Sequence, residues 1–182
     1  MEQKTDKELY HEFLDGNKES FEELVIRHKD KLIYFIFRYV KSIDIAEDIA
    51  QDVFVYLLIH KENYDFNYSL KTYLFTIAKS KSLNYLKREK RITQINENDI
   101  YDVQTLEERV FLNERKNNLK NAIAQLKPEY QRAVYLADIE ELSYKEIGQI
   151  LQKSESGIKV LIHRARQQLE VILRKEAEKY EG

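Results

Sequence analysis

Four glycines and one proline, Pro128, are very few for a chain of 182 residues, and they leave little material for the tight turns that join strands. Helices separated by short polar breaks are the default, so the expected class is all-α. The chain has no cysteine, which excludes disulfides, thiol nucleophiles and the usual structural zinc sites and is compatible with a reducing cytoplasm. Its start, Met1 to Leu14, is polar and charged, unlike a signal peptide. Nothing approaches an unbroken apolar run of about 18 residues. The expectation is a cytoplasmic chain with no membrane insertion.

Asp15 to Ser20 reads as a turn and cap, after which Phe21, Leu24, Val25, Leu32, Ile33, Phe35, Ile36 and Tyr39 recur at helical spacing. Asp44, with Glu47 three residues on, reads as a second helix start. Ile45, Ile49, Val53, Phe54 and Leu57 are its expected inner side. Its outer side carries Glu47, Asp48, Gln51 and Asp52, and no Lys or Arg occurs between Asp44 and Ile59. By itself such a face is either a solvated helix side with favourable acids in its first turn or a docking surface for a basic partner.

Lys61 to Tyr68 reads as a loop holding Phe66 and Tyr68. A helix from about Ser69 to Lys90 follows, with Leu70, Tyr73, Leu74, Ile77 and Ala78 inward. Its later half sets Lys79, Lys81, Lys87, Arg88, Lys90 and Arg91 against Glu89 alone. With 30 Lys plus Arg against 32 Asp plus Glu the net charge is only −2, so a nucleic-acid binder of this composition has to segregate its charges, and this chain does. From Ile92 to about Thr105 apolar periodicity disappears among Asn, Gln, Asp and Glu, the mark of a flexible acidic linker. The expected division is therefore a helical domain over 1–91, a linker over 92–113 and a second helical domain over 114–182. Leu106 to Gln125 resumes as helix, and Pro128 suits the first turn of another running from Glu129 to about Ile139.

The second domain carries the sharpest local pattern. Ser143 and Glu146 form a capping box, a helix runs to Leu151, and Ser154 is typed to cap the next helix after Gln152 and Lys153. Two helices so tightly joined are a helix-turn-helix candidate. Ile158, Leu161, Ile162, Ala165 and Leu169 make one apolar stripe. Ser156, Val160, His163 and Gln167 lie opposite with Lys159 and Arg164 beside them, and these are the side chains expected in a major groove; Arg166 lies further round and is expected to favour phosphate. Gly148 would let the two helices approach closely, whereas Gln152 occupies a turn position where Gly is the easier residue.

These elements in this order resemble a bacterial sigma factor of the extracytoplasmic function (ECF) type, within the sigma-70 family. Gly16 to Leu24 looks like the family's opening helix, Ala46 to Phe54 is similar to the segment that grips the polymerase clamp, and Ser69 to Arg88 to the helix that opens and reads the −10 element. Leu126 to Arg132 and the helix-turn-helix ending His163-Arg164-Ala165-Arg166 resemble the domain that reads the −35 element. The resemblance implies Glu47, Asp48, Gln51, Asp52 and Phe54 as contacts to core RNA polymerase. Phe66, Tyr73, Lys79, Ser80, Lys81, Asn84, Lys87 and Arg88 are then implied at −10 DNA, and Ser154, Ser156, Lys159, Val160, His163, Arg164 and Arg166 at −35 DNA. It further implies that the linker lies in the polymerase's RNA path and that an anti-sigma factor holds the free subunit inactive. Departures from the family's pattern include Tyr73 where a Trp is common, Ser80 and Asn84 where Asn and Asp are common, and Val160-Leu161 in place of a Ser-Arg pair. For Tyr73, stacking on bases and packing in the core stand equal.

An ordinary helix-turn-helix regulator with a sensing or dimerising first domain is the alternative. Two separated basic surfaces argue against it. No enzyme is expected: His11, His28, His60 and His163 are scattered, no Gly-rich phosphate loop occurs, and no catalytic residue, metal ligand set or cofactor is indicated.

Overall fold

A computed structural model describes residues 4–93, 119 and 121–180. The expected linker beyond Thr93, and most of the helix expected over Leu106 to Gln125, lie outside the described residues. The chain divides into two units, Met1–Asp99 and Ile100–Gly182. Among the described residues there is no strand, and the all-α expectation holds.

Unit 1 contains α1 (Asp6–Leu14), α2 (Lys18–Val40), α3 (Ile43–Ile59), a 3-10 turn (Lys61–Asn63) and α4 (Leu70–Thr93). Helix α1 falls in the stretch read only as a polar start. Its signal is a capping box, with the Glu8 N–H donating to Thr5 Oγ1 at 3.3 Å and the Thr5 N–H to Glu8 Oε2 at 2.7 Å. Leu9, Tyr10 and Phe13 are the side it buries. Asn17 caps α2 by accepting from the Ser20 N–H at 3.1 Å, and Lys41 closes the helix in the left-handed conformation. The cap of α3 is then Ser42, not Asp44. Only Lys41 and Ser42 separate the helices, so Asp44 already lies in the first turn, where its charge still meets the positive helix end.

Leu24, Leu32, Phe35 and Ile36 of α2, Val53 and Leu57 of α3, and Leu74, Phe75 and Ala78 of α4 are almost wholly shielded from water. Each large side chain contributes about 1.5–3 kcal/mol through burial. Phe35 and Phe75 meet edge to face at 4.8 Å, joining α2 to α4. Ser82, fully buried in α4, satisfies its hydroxyl on the Ala78 carbonyl at 2.7 Å.

Helix α1 is tied to α2 by charge as well. Asp6 faces His28 Nε2 at 2.7 Å and accepts from Arg27 at 3.1 Å, and His28 is only 3% exposed. The His28 hydrogen bond, with help from Arg27, holds the Asp6 carboxyl below its ordinary value of 3.8. A lowered acid pKa stabilises the fold above the ordinary value, and that stabilisation is lost as pH falls through the lowered one. Asp6→Asn is accordingly expected to destabilise unit 1 by about 1–2 kcal/mol at neutral pH, since it leaves a buried donor poorly paired. The deficit against the wild-type chain should shrink as pH drops below 3.8. Urea unfolding followed by circular dichroism at neutral and acid pH measures it.

Unit 2 contains α5 (Pro128–Val134), a π turn (Tyr135–Ile139), α6 (Tyr144–Leu151) and α7 (Glu155–Tyr180). Pro128 stands in the first turn of α5 as expected. The helix expected to Ile139 does continue there, but its last five residues widen into the π turn. Buried Glu140 follows, accepting from the Tyr135 hydroxyl at 2.8 Å. Gln131, also buried, donates to the carbonyls of Ala124 and Leu126 at 2.9 and 2.8 Å, satisfying acceptors at the end of helical residues 121–124 and in the turn just after it. Ile123, Leu126, Val134 and Ala165 form one core cluster, flanked by Tyr130, Leu169 and Ile172.

Both caps of the helix-turn-helix form. The Glu146 N–H donates to Ser143 Oγ at 3.3 Å, the Ser143 N–H to Glu146 Oε2 at 2.9 Å, and the Gly157 N–H to Ser154 Oγ at 3.1 Å. Gln152 takes the left-handed turn position at φ 58° and ψ 49°. The Gly148 carbonyl receives the N–H groups of both Gln152 and Lys153. This folds the Lys153 carbonyl back until a Cβ at position 148 would lie 2.7 Å from its oxygen. Gly148 is thus required by the turn itself. The facing helix leaves ordinary space, with Ile158 at 3.8 Å.

Candidate polymerase and DNA interfaces

On α3 the acidic side is present: Asp48, Gln51 and Asp52 are exposed and Glu47 is half-buried. Phe54 does not belong with them. It is 7% exposed and supports the helix from the core of the free chain, so its contact to core polymerase stays an expectation drawn from the resemblance. The outer stripe continues instead into Val55, Leu58 and Ile59, which are 50%, 50% and 68% exposed. Positions 48, 52, 55 and 59 share one helix side, so the face is acidic at its start and apolar at its end. The signal was available in the sequence. Val53 to Ile59 is an unbroken apolar and aromatic run, more than one buried helix side can absorb.

The loop before α4 is an aromatic assembly. The Tyr10 hydroxyl donates to the Lys61 carbonyl at 2.8 Å and the Tyr64 hydroxyl to the Tyr68 carbonyl at 2.6 Å. Burial pushes the Tyr64 phenol up to about 12 and raises Tyr10 further. Half-buried Phe66 is stacked by His11, with ring centres 4.4 Å apart and planes 3° from parallel. Tyr73 packs its ring 5.3 Å from Tyr64 yet stays half-buried, so one side packs and one side is open. Along α4, Tyr73, Ser80, Asn84, Lys87 and Arg91 align at i, i+7, i+11, i+14 and i+18, and all but Tyr73 are exposed. Arg88 is exposed to one side of that line. Lys79 and Lys81 are half-buried, and the Lys81 ammonium lies 5.7 Å from the Tyr56 ring centre, a cation–π contact reaching back to α3.

In unit 2, Ser154, Ser156, Lys159, Val160, His163, Arg164 and Arg166 are all exposed. Tyr144, which the sequence did not single out, joins Lys159, Val160, His163, Arg164, Arg166 and Gln167 around one open groove. Arg166 is engaged. Its Nε lies 3.3 Å from Asp138 Oδ2 and a second guanidinium nitrogen pairs with Asp138 Oδ1, so its charge is already partly compensated in the free chain. Lys153 pairs with Glu129 at 2.8 Å beside the turn.

Among the described residues no group of three His, Asp or Glu is placed to hold a metal ion, and no helix is long and apolar enough to cross a membrane.

These surfaces coincide with known segments. Residues 24–92 match the family model for sigma-70 region 2, and residues 116–169 that for sigma-70 region 4. The chain is 29% identical over 167 residues to the RNA polymerase sigma factor YlaC of Bacillus subtilis, covering 89% of this chain and 96% of that one. It is 28% identical over 172 residues to the ECF sigma factor SigW of the same organism, with 87% and 91% covered. Its fold is similar to that of the sigma factor RpoE from Bartonella quintana, solved with the anti-sigma factor NepR, at a TM-score of 0.71, 22% identity and coverage of 85% and 96%. The chain belongs to the sigma-70 family, in its extracytoplasmic function branch.

Proposed function

We infer that this chain is a promoter-specificity subunit of bacterial RNA polymerase. The observation that carries this reading is the succession of regions 2 and 4 in one chain, with exposed candidate residues on each. The mixed acidic and apolar side of α3 docks on core polymerase. The aromatic loop and the basic side of α4 take the −10 element as unpaired DNA, through phosphate neutralisation and stacking. The helix-turn-helix reads the −35 element as duplex, with α7 in the major groove. Domain limits of 1–91 and 114–182, a linker over 92–113 in the polymerase's RNA path, action in the cytoplasm and the absence of catalytic chemistry complete the proposal. The Bartonella quintana sigma factor of this fold was solved with an anti-sigma factor, which supports an antagonist for this chain also.

Run-off transcription with added core polymerase on genomic fragments tests the function and finds promoters in one experiment. Tight, sequence-specific duplex binding by the free chain without polymerase would instead support an ordinary regulator. Within α7, Arg164→Ala is expected to cost about 1–3 kcal/mol at preferred −35 sequences and to relax discrimination at one or two positions. Arg166→Ala should weaken all sequences about equally, because a phosphate is its expected partner. Transcription from a library randomised across the −35 element separates the two; exchanged roles would mean that α7 enters the groove rotated.

A further inference from the structure

We propose that His11, on α1, is the ring that meets an unpaired base at the −10 element, with Phe66 as the support beneath it. This rests on the sigma reading above and moves the stacking surface from the loop to the first helix.

Phe66 is poorly placed to stack on DNA itself. One of its faces is covered by the His11 imidazole at 4.4 Å and 3°. Tyr10 meets it edge-on with ring centres 5.8 Å apart, and Tyr64 leans against it at 4.7 Å. Of the four rings in contact here, Tyr10, Tyr64, Phe66 and His11, the exposed one is His11, and the ring contact made by its imidazole is the one to Phe66. Its other face is therefore the outer end of an aromatic stack. Such a face accepts any base, because every base has a π surface.

The mount is rigid. The capping box of Thr5 and Glu8 starts α1, the Asp6 contacts to His28 and Arg27 hold it on α2, and the Tyr10 hydroxyl ties it to the loop at Lys61. A ring held in advance loses little freedom when it binds. Charge sets what is presented to it. Glu62 and Asp65 are exposed on the loop and disfavour a phosphate there, whereas Lys87 and Arg88 on α4 attract one. The strand would then run with its backbone toward α4 and a base toward His11.

The test uses holoenzyme reconstituted from core polymerase and the full chain. The probes are fork-junction DNAs whose unpaired −10 strand carries 2-aminopurine at one position at a time. His11→Ala is expected to weaken fork binding on the order of tenfold and to abolish 2-aminopurine quenching at a single position, whereas His11→Phe should keep both. Thermal unfolding of each variant shows whether unit 1 remains intact. Wild-type quenching and affinity in His11→Ala would overturn the proposal, and so would a loss in His11→Phe equal to that in His11→Ala. A loss spread over all positions together with a lowered unfolding temperature would also overturn it, because His11 would then merely support the fold. Failure of the wild-type holoenzyme to bind any fork would count against the sigma reading itself and is distinguishable from all of these.

Discussion

Reversing Asp48 and Asp52 to Lys is expected to abolish co-purification of the chain with core polymerase while its helical content and unfolding midpoint stay unchanged. Both side chains are exposed on the outer side of α3, so the fold loses no buried contact. The change in charge is four units on one helix face. Coupling between close opposite charges at interfaces reaches about 1.5–7 kcal/mol, so replacing attraction with repulsion should cost at least about 100-fold in affinity. The apolar end of the same stripe is expected to make a different contribution. Leu58→Asp should chiefly speed dissociation, because a desolvated anchor acts on the lifetime of a complex, whereas a rim charge acts on encounter. Surface plasmon resonance on immobilised core polymerase resolves the two rates. Wild-type affinity in the double Lys variant would reduce the acidic face to a solvated helix side.

Gly148→Ala is expected to destabilise unit 2 by about 2 kcal/mol and to eliminate −35 discrimination while leaving polymerase binding by unit 1 intact. Helix propensity alone argues the reverse, since Ala is favoured over Gly in a helix by about 1 kcal/mol. The added Cβ would, however, sit 2.7 Å from the Lys153 backbone oxygen, which cannot swing aside as a side-chain tip can. Overpacking of this kind costs about 1–3 kcal/mol or more and would shift the start of α7. Gln152→Gly supplies the opposite sign: at φ 58° a side chain is strained, so the glycine is expected to gain about 1 kcal/mol. Amide hydrogen exchange in α6 and α7 reports both changes, and a stabilised Gly148→Ala would refute the turn geometry.

What the sequence revealed was local. The Ser143 and Ser154 caps, the buried stripe of α7 and the position of Pro128 each depend on residues within a few turns of one another, and each formed as expected. Thr5 and Glu8 carry the same kind of local signal for the start of α1. Ser42 displaced Asp44 as a cap because the end of α2 at Lys41 fixes where α3 can begin. Other features depend on residues brought together only by the fold. His11 meets Phe66 across 55 positions and Asp138 meets Arg166 across 28, and neither spacing has any periodicity to betray it. Phe54, inward by its helical spacing and a polymerase contact by resemblance, packs in the core of the free chain.

The Asp138 carboxylate on Arg166 also bears on how this chain would respond to its ionic surroundings. Proteins that neutralise DNA phosphates release condensed cations, and the steepness of affinity against salt counts those released. An arginine already paired with a carboxylate brings little net positive charge to the phosphates, so it frees few of those cations. In the proposed complex Lys159 and Arg164 would enter that count and Arg166 would add little to it. A groove with three basic residues would thus lose affinity with added salt as though it had two.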